Sequence, residues 1–244
     1  MTAALLRLPH LARASSQGEA PSVDPAIEQA PRDAQPLYRA VGPGRLLELS
    51  GDVDGAVATA RTSAAVRVVR DAQSAGETAA WIQPRGGALY PPDLAACGVD
   101  LEALLVVHVP PSSTPSRGGG GNAQPHVLCK AAELLLRSGA FGLVVVDFTH
   151  AAPPSGRQAW QGRLLGLARQ HSSHVVLLTE KPASADSLGT LIGARVEPRR
   201  VRESSADSRR GAGSFSLEHA LLKNKSGATL HVQRESRRGP WGMR

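Results

Sequence analysis

Residues 128–150, LCKAAELLLRSGAFGLVVVDFTH, constrain the fold more than any other stretch. Leu128, Ala131, Ala132, Leu135 and Leu136 recur at helical spacing, which predicts one apolar helix face. Ser138-Gly139 stops that helix, because glycine takes the left-handed cap at no steric cost. Leu143-Val144-Val145-Val146 is apolar on both faces, the pattern of a central parallel strand covered by helices on both sides. Asp147 ends the strand, at the point where open α/β sheets hold their ligands. A carboxylate there either holds a metal near a nucleotide or closes the strand and caps the next turn.

The same alternation extends along the chain. Strands are expected at 45–49, 78–82, 104–109 and 174–178, and helices at 56–75, 91–98 and 158–170. This order predicts an α/β fold with a mostly parallel central sheet and right-handed crossovers. Residues 188–195 and 196–201 form later elements. Residues 202–213 read as a loop, and 215–225 and 228–233 as two edge strands of a hairpin turning at 224–227. Prolines 21, 25, 31 and 36 interrupt the first 40 residues, which read as a mobile arm. The core is expected over 41–233, with a flexible, glycine-rich insertion at 110–125 and a basic tail at 234–244. Gly118–Gly121 in that insertion precede a helix, but no lysine or hydroxyl stands at a phosphate-loop offset.

Charge is unevenly placed. Residues 1–194 hold sixteen Lys/Arg and sixteen Asp/Glu, whereas 195–244 hold twelve and five, which carries the whole net charge of +7. A neutral body with a basic end points to a polyanion or an acidic protein partner at that end. No apolar run approaches the length of a membrane span, and no signal peptide is evident, so a cytoplasmic location is expected. Cys97 and Cys129 lie in no metal-type spacing and both read as buried thiols, while His171 and His174 straddle a helix end and a strand start. No metal site and no Ser/His/Asp or Cys/His arrangement is recognisable.

Three further stretches carry a family resemblance. The run 78–82 followed by Cys97-Gly98-Val99-Asp100-Leu101 and Leu104-Leu105-Val106, the Leu136-Arg137-Ser138-Gly139-Ala140 to Val144-Val145-Val146-Asp147 block, and Lys223-Asn224-Lys225 resemble the RecA ATPase core. The resemblance spans roughly residues 44–232. It implies a nucleotide site in which Gly55, Arg61, Thr62 and Asp147 correspond to phosphate-loop and Walker B positions. The phosphate loop G-x-x-x-x-G-K-T/S is degenerate here, as Gly55-Ala56-Val57-Ala58-Thr59-Ala60-Arg61-Thr62. Ala60 adds a Cβ where backbone must approach phosphate, and Arg61 keeps the charge of lysine without its compact geometry. The position of the water-activating glutamate is Arg85, and Glu180 falls near a nucleotide-sensing glutamine. The connections 148–158 and 179–188, which correspond to DNA-binding loops, look shortened. ATP hydrolysis is not expected, and no cofactor is required.

A shortened RecA-like core with a decayed phosphate loop and a basic end is similar to the ImuA family. That resemblance implies a non-catalytic accessory role in SOS-induced, mutagenic translesion synthesis, with an ImuB-like, polymerase-related partner and RecA. The alternative is a recombinase paralogue that binds ATP and DNA, with Lys223 and Lys225 reaching a neighbour's nucleotide. A third reading is DNA binding through the basic end. Contacts to DNA or partner are expected from Arg199, Arg200, Arg202, Lys223, Lys225, Arg234, Arg237 and Arg238, with Arg209 and Arg210 between them. Trp241 follows the last of these cations, and base stacking is not evident from the sequence.

Overall fold

A computed structural model describes residues 37–52, 59–87, 89–110, 125–149, 151, 153–154, 157–202, 214–225 and 234–238. Eight strands form one sheet in the order β3-β2-β4-β5-β1-β6-β7-β8. They are β1 (Leu46–Gly51), β2 (Ala79–Pro84), β3 (Leu104–Val109), β4 (Leu143–Asp147), β5 (His174–Glu180), β6 (Ile192–Arg202), β7 (Ser214–Asn224) and β8 (Arg234–Arg238). β3 through β6 in that order pair parallel, and β6, β7 and β8 pair antiparallel. The mostly parallel α/β fold read from the sequence is the fold of this chain, and it matches a RecA-like core.

The apolar strands divide their side chains between two layers, as a period of two requires. Leu47, Leu49, Trp81, Leu143, Val145, Val176 and Leu178 pack on one face with α1 (Leu37–Val41) and α2 (Arg61–Ser74). Leu46, Ile82, Val144, Val146, Val175 and Leu177 pack on the other with α4 (Pro125–Ser138) and α5 (Arg157–Gln170). The short α3 (Pro91–Ala96) adds Leu94 to the first layer. Each fully buried Leu or Val contributes roughly 1.5–3 kcal/mol, so the two layers dominate stability. Gly139 takes the left-handed cap after α4, as its sequence position demands (φ +68°).

Several boundaries differ from the sequence reading. Leu37, Tyr38 and Val41 are buried, so the core begins inside the stretch assigned to the arm; residues 1–36 lie outside the described residues. The helix expected from 56 starts at Arg61, because Thr59 pairs with Arg199 in an antiparallel bridge and the Ala60 N–H donates to the Pro198 carbonyl (3.0 Å). Residues committed to strand-like pairing cannot also open a helix. The expected elements at 188–195 and 196–201 resolve into the single strand β6. Among the described residues β7 pairs outward with Arg234–Arg238, a segment read as the tail; 228–233 lies outside them, as does half of the 224–227 turn. Most of the 110–125 insertion and all of 203–213 also lie outside them.

Candidate functional site

The carboxyl ends of β1, β4 and β5 bring the expected nucleotide residues to one end of the sheet. Gly51 closes β1 in register with Glu180 at the end of β5, and Asp147 pairs with Leu178. Gly51 has to be glycine, since a Cβ there would stand 2.2 Å from the Thr59 hydroxyl. Gly55 lies outside the described residues. Thr62 occupies the second position of α2 and is half-buried.

Arg61 is only 5 % exposed, and its guanidinium points into the protein. Nη1 donates to the Gly51 carbonyl (2.9 Å) and to the Thr179 carbonyl (2.7 Å). It therefore joins the ends of β1 and β5, the two neighbouring strands whose carbonyls fan out there. Burial pulls its pKa below the ordinary arginine value, and Glu180, Asp147 and Asp52 offset part of that cost. A phosphate loop works the other way round: its backbone N–H groups and lysine converge outward on an anion. Here the cation is bound to carbonyls, and the Ala60 N–H is given to Pro198.

Asp147 is 5 % exposed, and its Oδ1 accepts the Thr149 N–H (2.8 Å). That is the turn-capping geometry of the second sequence reading. Arg85, at the position of the activating carboxylate, is exposed in the turn after β2, with its N–H donated to the Val109 carbonyl (2.8 Å). No group of three or more His, Cys, Asp or Glu with metal-binding arrangement occurs among the described residues.

A second polar cluster, on the α5 side of β1, was not read from the sequence. Glu48 is fully buried. Its Oε1 accepts the Thr179 hydroxyl (2.9 Å) and pairs with Lys181 (2.6 Å), and its Oε2 accepts the Leu188 N–H (2.9 Å). Buried Arg195 donates through Nε to the Ser50 hydroxyl (2.8 Å) and through its other nitrogens to the Ala185 and Pro182 carbonyls. Lys223 donates to the Ser187 hydroxyl (2.7 Å) and the Gly189 carbonyl (2.8 Å), and Lys225 to the Thr190 carbonyl (3.0 Å). Burial, then Lys225, pull the Lys223 ammonium below its ordinary range. These groups hold the β5–β6 connection, residues 181–191, against the sheet. Lys223 is thus held part-buried on the connection, while Lys225 bonds Thr190 from an exposed position. A glutamate within Leu46-Leu47-Glu48-Leu49 was the available signal, because a doubly covered strand admits a carboxylate only when it is paired.

The remaining expected contact residues sit elsewhere. Arg199 and Arg200 lie on β6, with Arg199 held by Glu197 (2.7 Å) and its side chain 42 % exposed. Arg202 ends β6, and Arg234, Arg237 and Arg238 lie on β8. Cys129 is buried, and burial beside Glu133 pushes its thiol up to about 12; Cys97, expected to be buried, is exposed.

Sequence comparisons agree with the fold. No family model matches the chain. It is 34% identical to the RecA protein of Kineococcus radiotolerans over 137 residues, which cover 54% of this chain and 34% of that one. RecA of Saccharopolyspora erythraea is 35% identical over 111 residues (46% and 27%), and RecA of Clostridium novyi 34% over 111 residues (46% and 27%). The chain spans about a third of the length of the curated relatives it matches. In sequence over about half its length, and in fold, the chain is RecA-like.

Proposed function

We propose that this chain is a non-catalytic, RecA-like accessory protein of the ImuA type. It acts in SOS-induced, mutagenic translesion synthesis by binding an ImuB-like, polymerase-related protein and RecA, in the cytoplasm. The observation that carries this reading is the Arg61 guanidinium, buried and bonded to the Gly51 and Thr179 carbonyls. A nucleotide entering this site has to displace two charge-assisted hydrogen bonds, each worth about 1.5–3 kcal/mol. It then meets a backbone donor already used by Pro198 and a β2 end without a carboxylate. Hydrolysis needs positioned cation, metal and base together, and this chain keeps one aspartate of that set.

An interaction role also suits the sheet edge. Among the described residues β3 has no outer neighbour, and Leu105 on it is 42 % exposed. A bare apolar edge strand is a template for another chain's strand. Among the described residues no helix is long and apolar enough to cross a membrane. The test is co-precipitation of the purified protein with ImuB and with RecA, alongside a phosphate-release assay. Capture of either partner without ATP turnover is expected; turnover, or indifference to both partners, overturns the reading. The recombinase alternative retains one supporting observation, Asp147 at the end of β4 within electrostatic reach of Arg61. It requires Mg-ATP binding that depends on Asp147.

A further inference from the structure

We infer that Arg61 governs the β5–β6 connection on the far face of the sheet, through a closed ring of hydrogen bonds that straps residues 181–191 down while the guanidinium stays seated. This coupling goes beyond the accessory role and shares with it only the position of Arg61.

The ring runs through Arg61, Gly51, Lys181, Glu48 and Thr179, at the carboxyl ends of β1 and β5. Arg61 Nη1 donates to the Gly51 carbonyl (2.9 Å) and to the Thr179 carbonyl (2.7 Å). The same Gly51 carbonyl accepts the Lys181 N–H (3.2 Å) on its second lone pair. The Lys181 ammonium pairs with Glu48 Oε1 (2.6 Å), and the Thr179 hydroxyl donates to that oxygen too (2.9 Å). Thr179 closes the circuit, because its carbonyl serves Arg61 while its side chain serves Glu48. Arg61, Thr179 and Glu48 are buried, so no solvent stands ready to replace a lost partner, and each bond supports the next.

The ring also crosses the sheet. Arg61 opens α2 on one face, whereas Glu48 shares the α5 face with Leu46. On that face Glu48 Oε2 accepts the Leu188 N–H (2.9 Å), and the Leu188 carbonyl accepts Gln161 Nε2 from α5 (3.1 Å). Leu188 pins the connection, being buried where Pro182, Ser184, Asp186 and Thr190 around it are exposed. Arg195, Lys223 and Lys225 hold other points of the connection from β6 and β7, outside the ring. Withdrawing Arg61 takes a charged donor from both strand-end carbonyls and loosens the carboxylate on which Leu188 hangs. An anion that draws the guanidinium outward therefore frees a loop on the opposite face.

The test is amide hydrogen exchange of the full chain by NMR. The Leu188 N–H reports on the strap, and the Val145 N–H, at the buried centre of β4, reports on opening of the whole protein. Arg61→Ala and Thr179→Val leave the acceptor of Leu188 in place. Each is expected to speed Leu188 exchange by about tenfold or more relative to Val145 in the same sample. In Arg61→Ala/Glu48→Gln the relative acceleration should be no greater than in Glu48→Gln alone, because both changes break one ring. Arg61→Lys, which keeps the charge without the planar fork, carries the same reading should Arg61→Ala fail to fold. Leu188 exchange that merely follows Val145 in the arginine and threonine variants overturns the inference. So do accelerations that multiply in the double variant, since Arg61 and Glu48 would then act independently.

Discussion

Two sets of cations belong to the same sheet, one at its parallel strand ends and crossover and one along its antiparallel strands. Arg61, Arg195 and Lys223 turn inward and, with the exposed Lys225, bond to carbonyls and hydroxyls at strand ends and along the β5–β6 connection. Arg199, Arg200, Arg202, Arg234, Arg237 and Arg238 sit in the paired strands of the outer wing. Sequence groups Lys223 and Lys225 with the wing arginines, as basic residues of the last 50 positions, while Arg61 reads as a phosphate-loop position. What separates them is acceptor supply. Where parallel strands end and a connection crosses over, carbonyls leave the ladder and compete with solvent for a donor. Within the antiparallel ladder, β7 already satisfies the inner carbonyls of β6 and β8, so backbone offers the wing arginines less.

The contrast predicts a graded series of unfolding free energies, read by urea denaturation. Glu48→Ala removes the acceptor shared by Thr179, Lys181 and the Leu188 N–H, and is expected to cost about 3–5 kcal/mol. Arg61→Ala comes next, at about 3 kcal/mol, because it leaves the Thr179 carbonyl without its charged donor. Lys223→Met follows at about 1 kcal/mol, since its pairing with Ser187 and Gly189 is only part-buried. Arg234→Gln/Arg237→Gln/Arg238→Gln on β8 should lie within about 0.5 kcal/mol of wild type. A wing variant that costs as much as Arg61→Ala would break the distinction.

The smallest expected effect concerns burial of a titratable group without strong acceptors. His174 is buried and stacks on Tyr38 with ring centroids 4.1 Å apart. Burial holds its imidazole below the ordinary histidine value, against a lesser upward pull from the Gly142 and Tyr38 backbone. The unfolded chain thus takes up the proton first as pH falls below about 6.5. Stability contributed by neutral His174 is complete above that pH and declines beneath it until the folded form protonates too. His174→Phe should remove this decline from the stability profile. An identical pH profile in the variant would show that the decline arises elsewhere. Arg61 differs because two carbonyls, at 2.7 and 2.9 Å, compensate its burial directly.

Much of the parallel half was legible beforehand. The strands at 78–82, 104–109 and 174–178 and the 128–150 block carry long apolar runs whose period and glycine stops have few structural solutions. Asp147 was legible as a strand end, and its bond to the Thr149 N–H realises the capping option. The start of α2 was not, because alanines at 56, 58 and 60 read as helix while the Thr59–Arg199 bridge and the Pro198 carbonyl decide the boundary from 140 residues away. The direction of Arg61 was hidden for the same reason, since its acceptor on Thr179 comes from a strand distant in sequence. β8 escaped notice because Arg-Glu-Ser-Arg-Arg has no apolar alternation, and only its pairing with β7 makes it a strand.

The central claim is that Arg61 occupies its own phosphate site. Calorimetric titration of the full chain with Mg-ATP tests it most directly, with Arg61→Ala and Asp147→Asn measured beside it. The account predicts no heat of binding in wild type at nucleotide concentrations up to about 1 mM, a binding free energy weaker than about −4 kcal/mol. Micromolar binding that disappears in Arg61→Ala and in Asp147→Asn would contradict it, because the guanidinium would then be serving the nucleotide rather than the strand ends.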